Sequence, residues 1–215
     1  MLNRLFSALL LLSLAPANAQ WFSPGVKGGV LLTDAVEGSF GVRSEAKRYT
    51  VGPVVEIGLP ASWAVEVDAL YKRTGYSSTA TAFGITSSTQ VRANSWEFPI
   101  LAKHYFSRRF YLSGGYVVRS LSGVEATVHQ SGTNPVTGAP VDVTLRPETA
   151  FLLRDNPTQG FVAAGGLRLS IGVAHVAPEI RYTRWTGRPF DEQGSQGFFV
   201  QSSRNQVEFL VGLTF

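Results

Sequence analysis

The chain has 215 residues, of which 12% are aromatic, 22 are glycine and 16% are charged, with a formal net charge of +4. This richness in aromatics excludes an intrinsically disordered chain. The absence of cysteine excludes a disulfide frame, a thiol nucleophile and a thiolate metal site.

The first segment reads MLNRLFSALLLLSLAPANAQ. A single cation, Arg4, precedes an apolar run from Leu5 to about Ala15, and Ala17-Asn18-Ala19 follows as a small-x-small cleavage pattern. The run is shorter than the roughly 20 apolar residues a spanning helix needs. Residues 1–19 are therefore expected to be a cleaved export signal, with 20–215 as one mature domain. For an exported chain, a basic balance points to anionic lipid rather than nucleic acid.

Eight segments then alternate with period two, at 24–33, 48–59, 63–73, 95–105, 109–120, 160–169, 173–185 and 205–215. In the third, Trp63, Val65, Val67, Ala69 and Tyr71 share one face and Ala64, Glu66, Asp68, Leu70 and Lys72 the other. In the fourth, Trp96, Phe98, Ile100 and Ala102 oppose Glu97, Pro99, Leu101 and Lys103. In the seventh, Pro178, Ile180 and Tyr182 oppose Glu179, Arg181 and Thr183. The last segment sets Val207, Phe209, Val211, Leu213 and Phe215 against Gln206, Glu208, Leu210, Gly212 and Thr214. Glycine pairs at 28–29, 114–115 and 165–166 fall inside these segments, where they permit bends or close packing rather than cradling phosphate.

The second faces together carry Lys27, Glu56, Glu66, Asp68, Lys72, Glu97, Lys103, Arg119, Arg168, Glu179, Arg181 and Glu208, six cations and six anions. In a soluble barrel these charges would meet water; in a membrane barrel they would line the lumen while the apolar faces meet lipid. Connection lengths decide between the two. The links at 60–62, 106–108 and 170–172 are short, and those at 34–47, 74–94, 121–159 and 186–204 are long. Strict alternation of short and long is the pattern of a barrel with periplasmic turns and external loops. Trp63 and Tyr71, eight residues apart on one face, would sit roughly 20 Å apart along the membrane normal, near the two headgroup levels. The fold expected is an all-β, eight-stranded antiparallel up-and-down transmembrane β-barrel.

The signal ending ANA, GVKGGV (25–30), SWEFPILAKHYF (95–106), FYLSGGY (110–116), PEIRYTRW (178–185) and the terminal strand resemble the small outer-membrane β-barrel families. The nearest resemblances are to the barrel domain of outer-membrane protein A and to PorT-like barrels. The resemblance implies location in the cell outer membrane and an assembly signal at Phe215. It also implies, as partners, outer-membrane lipids including lipopolysaccharide, and the barrel-assembly machinery and periplasmic chaperones during biogenesis. A monomer without cofactor, metal or nucleic acid is the corresponding expectation.

Twelve lumen charges in so narrow a barrel are expected to pair and plug it, with a narrow pore as the alternative. Lys47, Arg48, Lys72, Arg73, Arg184 and Arg188 fall near the outer rim, where arginine suits lipid phosphates. A lipid-modifying enzyme of the acyl hydrolase or transferase type is a further alternative. Of the histidines, His104 and His175 fall near the periplasmic ends, and only His129, near Ser122, Glu125 and Ser131, lies in an outer loop. No catalytic set emerges, and a non-enzymatic role in envelope integrity or surface binding is expected.

Overall fold

The computed structural model describes residues 22–39, 41–44, 47–147, 154–193 and 199–215. The expected signal segment 1–19 lies outside the described residues. The strands are β1 (Phe22–Leu31), β2 (Val36–Gly38), β3 (Val42–Ser44), β4 (Lys47–Leu59), β5 (Trp63–Asp68), β6 (Leu70–Ala82), β7 (Ile85–Tyr105) and β8 (Phe110–Thr133), followed by β9 (Pro140–Leu145), β10 (Thr158–Leu167), β11 (Leu169–Ile171), β12 (Ala174–Trp185), β13 (Asp191–Gln193), β14 (Phe199–Ser202) and β15 (Asn205–Thr214).

All pairings are antiparallel. β1 pairs with β4, β4 with β5 and β6, and both of these with β7. β7 pairs with β8, β8 with β10, β10 with β12 and β12 with β15, and β15 pairs with β1. β3 and β9 extend the sheet beside β6 and β8, and β2, β13 and β14 form a separate three-stranded sheet. The division between β5 and β6 has a local cause. Ala69 N–H donates to Pro53 O at 3.0 Å, but proline has no N–H to return the bond. Alternation continues through the break, with Glu66, Asp68, Leu70 and Lys72 all buried.

The expected loop at 74–94 is instead a hairpin. β6 and β7 stay in register from Leu70↔Glu97 to Ala82↔Ile85. The turn at Phe83 and Gly84 has φ of 51° and 78°, the left-handed pair that two-residue hairpin turns require. β8 likewise runs on to Thr133 beside β7, and β9 occupies 140–145 of what was expected to be loop. The links 34–47 and 186–204 contain β2, β3, β13 and β14. Apolar alternation ends where neither face of a strand has to exclude water, so the sequence pattern marks these strands only in part. Ser and Thr continue the strands beyond that point, and Thr retains a β preference.

The facing is inverted relative to a soluble protein. Val26, Val67, Ile100 and Ile180 are 40–56% exposed, whereas Lys27, Glu66, Lys103 and Arg181, on the opposite faces of the same strands, are 2–3% exposed. Close strand approach is set by glycines. A Cβ at Gly29 would lie 2.0 Å from Phe209 O, while one at Gly28 would meet nothing nearer than Thr50 O at 3.6 Å. Gly29→Ala should therefore destabilise the fold by about 1–3 kcal/mol through forced backbone shifts. Gly28→Ala should be near neutral in the same urea titration. Equal midpoints for the two variants would contradict this packing.

Candidate functional site

Inward side chains of several strands converge on one ion network. Glu66 on β5 is its centre: its carboxylate contacts Lys27 Nζ of β1 at 2.5 Å, Lys103 Nζ of β7 at 2.8 Å and Arg181 Nη2 of β12 at 3.2 Å. Arg181 also reaches Asp68 at 2.9 Å and Glu179 at 2.8 Å. Lys103 also reaches Glu56 at 2.8 Å, and Arg168 closes the end of the network on Glu56 at 3.2 Å. Four cations thus meet four carboxylates drawn from β1, β4, β5, β7, β12 and the residue between β10 and β11. A second group lies further along the strands, where Lys72 bridges Glu97 at 2.9 Å and Glu208 at 2.8 Å. Arg119 faces Glu97 across the β7–β8 ladder, and its guanidinium stacks 4.0 Å from the Trp185 ring.

Eleven of the twelve charges are buried, and Arg168, with a side chain 24% exposed, borders the opening. Transfer of so many charges from water is costly, and only mutual pairing with further hydrogen bonds offsets it. Neutral residues supply those bonds. Tyr105 donates to Glu56 at 2.7 Å, Tyr111 donates to Glu179 at 2.9 Å, and Thr50 donates to Glu208 at 2.8 Å. Sequence reading overlooked these three and Trp185 because it collected only formal charges. Their signal was parity: Tyr105 alternates with Lys103, Thr50 with Glu56, and Trp185 with Arg181.

Apolar side chains fill the interior both beside the charges and beyond them. Leu101, Val117, Val162 and Trp185 form one buried cluster. Val36, Tyr76, Val91, Ala93, Leu121, Ala126, Phe190 and Val200 form a second, larger one. Val36 and Val200 belong to β2 and β14, so segments expected to be loops fold inward and cap the interior. Tyr76 and Phe190 meet edge to face at 5.7 Å.

The six expected rim cations separate. Lys72 is interior, as its alternation with Asp68 requires, and is corrected from the rim to the ion network. Arg188 belongs to the cap: its backbone N–H donates to Asp155 at 2.8 Å and its guanidinium to Gln201. Arg73 and Arg184 are exposed on the outward face. The side chains of Lys47 and Arg48 lie outside the described residues. Phe215 follows β15 with an exposed ring, and its N–H donates to Pro24 O at 3.0 Å.

Outward-facing aromatics gather at two levels. Trp63, His104 and Phe106 pack in sequence at 4.6 and 4.8 Å between ring centroids near the short turns. Tyr71 and Trp96 pack at 5.3 Å near the other end. His129 Nδ1 lies 3.2 Å from Thr144 Oγ1 and 3.8 Å from Asp142. Ser122, Ser131 and Glu125 are not among its hydrogen-bond partners in the described residues.

No family model matches the chain, and no curated protein matches it by sequence. Among solved structures the chain is similar to the outer membrane protein OprG from Pseudomonas aeruginosa, with a TM-score of 0.51 and 10% identity over 90% of this chain and 94% of that one. It also aligns with Ail, the attachment invasion locus protein of Yersinia pestis, at a TM-score of 0.39 and 8% identity, covering 90% and 97%. The outer membrane protease OmpT from Escherichia coli aligns at 0.37 and 11%, covering 90% and 93%. The first likeness shows that the chain folds in the manner of an outer-membrane β-barrel protein.

The network makes Glu66 the costliest carboxylate to neutralise, since three buried cations would lose charge compensation together. Glu66→Gln should destabilise the protein by about 3–5 kcal/mol. Adding Lys103→Met should recover part of that loss in a double-mutant cycle. Strict additivity of the two changes would contradict the contact.

Proposed function

We propose that the protein is a non-enzymatic outer-membrane β-barrel whose lumen is plugged, serving envelope integrity or surface binding. In this reading β1, β4, β5 with β6, β7, β8, β10, β12 and β15 close as an eight-stranded ring. Closure is supported by the pairing of each of these strands on both sides, ending with β15 on β1. An even strand number brings both termini to the periplasmic side, after export through a cleaved signal. Phe215 then serves recognition by the assembly machinery, and chaperones escort the chain to it.

One observation carries this reading: side chains are sorted with charge inside and hydrocarbon outside. A soluble protein has no reason to expose Val26, Ile100, Phe161 and Ile180 while burying Lys27, Glu66, Lys103 and Arg181. Against lipid both choices are favourable. A ring of eight strands leaves room for little beyond side chains. Here paired ions fill one level and the apolar cluster around Tyr76 and Phe190 fills the next. An ion crossing would have to break several pairs and then cross the apolar level. Beyond the aromatic belt, β6, β7, β8 and β9 continue as a Ser/Thr-rich wall, the surface this reading assigns to envelope or surface partners.

In planar bilayers the purified protein should show no stable conductance. Steady currents that vanish in Glu66→Gln or Arg181→Met would replace the plug with a pore. In intact cells, added protease should cut at the turn 134–139 and spare 60–62. The reverse pattern would invert the topology. Val67→Arg, placing a charge on hydrocarbon near mid-membrane, should cost about 2–4 kcal/mol in vesicle folding assays. Tolerance of that change would argue against lipid contact.

A further inference from the structure

The outward face repeats one arrangement at two places. On β6, Tyr71 is followed two residues later by Arg73, and Asn94 of β7 stands opposite Arg73 in register. On β12, Tyr182 is followed by Arg184, and Asn205 of β15 stands opposite Arg184. In both, the tyrosine hydroxyl donates to the asparagine Oδ1 at 2.8 Å. In the second, Arg184 Nη1 also donates to that oxygen, at 2.6 Å. Two separate strand pairs therefore place the same three residues in the same register and share the tyrosine–asparagine bond.

The chemistry of each triad is that of an anion station. The asparagine oxygen is occupied by the tyrosine, which fixes the aromatic ring and the amide together. Neither guanidinium forms an ion pair with a carboxylate among the described residues, and both are exposed. Arginine's planar set of donors suits the oxygens of a phosphate. The neighbouring rings define the depth. Tyr71 packs on Trp96, and Tyr182 is 41% exposed on the lipid-facing side, the setting of aromatics at a headgroup boundary. Each arginine stands one inward–outward period past its tyrosine, on the side away from the short turns, which in the barrel reading is the height of headgroup phosphates.

We propose that these triads are two phosphate-binding stations for phosphorylated glycolipid of the outer leaflet, each seating one lipid. The inference rests on the barrel reading above. In a closed ring of eight, the pair β6–β7 lies four strands from β12–β15. The stations are then on opposite walls, so two phosphates of a single lipid cannot span them. The stations also revise the rim expected from sequence: Arg73 and Arg184 remain, Lys72 and Arg188 leave, and Asn94 and Asn205 join.

The test uses the full chain in lipid nanodiscs, with native mass spectrometry counting retained bisphosphorylated lipid A. Two molecules should be retained by the unaltered protein, and one by Arg73→Ala or by Arg184→Ala. The double variant should retain neither, with affinity at each altered station falling on the order of tenfold or more. Arg184→Lys should bind more weakly than arginine but better than alanine, because a point charge replaces the fork. Dephosphorylated lipid A should not be retained, and millimolar inorganic phosphate should not displace the lipid. Equal retention of the dephosphorylated lipid, or unchanged counts in the double variant, would overturn the proposal. Full displacement by inorganic phosphate would overturn the lipid assignment. Far-ultraviolet circular dichroism and heat-dependent gel mobility of the same samples separate the two readings. A folded, inserted double variant that still binds defeats the stations alone, whereas failure of the unaltered chain to insert defeats the barrel reading.

Discussion

A buried carboxylate that must be neutralised by three cations from three different strands constrains the structure more than any other contact. Glu66 touches Lys27, Lys103 and Arg181, which come from β1, β7 and β12. A slip of one residue in any of these strands would carry its cation to the opposite face. The network therefore selects the register as well as occupying the space between the strands. Apolar side chains outside and charge inside oppose such slips together, since each slip would turn a charge outward and bury an apolar side chain among ions.

The interior is layered by chemistry. Near the short turns, Arg168, Glu56 and Tyr105 border the opening. The dense group around Glu66 follows, then Lys72 with its two carboxylates, then Arg119 against the Trp185 ring. Arg119 is a transition between layers: its charge faces Glu97 while its planar face packs on an aromatic. Past it the apolar cluster excludes water, completed by β2 and β14 from links distant in sequence. Two unlike materials fill successive levels, so no single substitution is expected to clear a continuous path.

The wall formed by β6, β7 and β8 is taller than the remaining strands. β1, β10 and β15 have ten residues each, close to the roughly 9–11 a tilted strand needs to span a bilayer, whereas β7 has 21 and β8 has 24. The excess is polar, rich in Ser and Thr, and ends in a tight turn rather than an open loop. Such a hairpin holds its backbone hydrogen bonds internally, and presents its surface with less disorder than a loop of equal length.

Much of this was legible in the sequence, because sorting apolar and charged side chains to opposite faces imposes a period-two code that a strand cannot evade. The exposed Val67 and Ile180 and the buried Glu66 and Arg181 follow from alternation alone, as do the turns at 60–62 and 106–108. The candidate site was legible as a set of charges but not as a set of contacts. Parity places a side chain on a face without saying which strand will lie opposite, so the convergence of three cations on Glu66 came only with the pairing of β1, β5, β7 and β12. The same limit explains the rim, where position near a strand end grouped Lys72 with Arg73 although adjacent residues point to opposite faces. Where the apolar alternation ends the code falls silent, and the tall hairpin and the inward-folded cap were decided by tertiary structure. Their stability comes from backbone ladders, a left-handed turn at Phe83 and Gly84, and apolar packing between residues as far apart as Val36 and Val200.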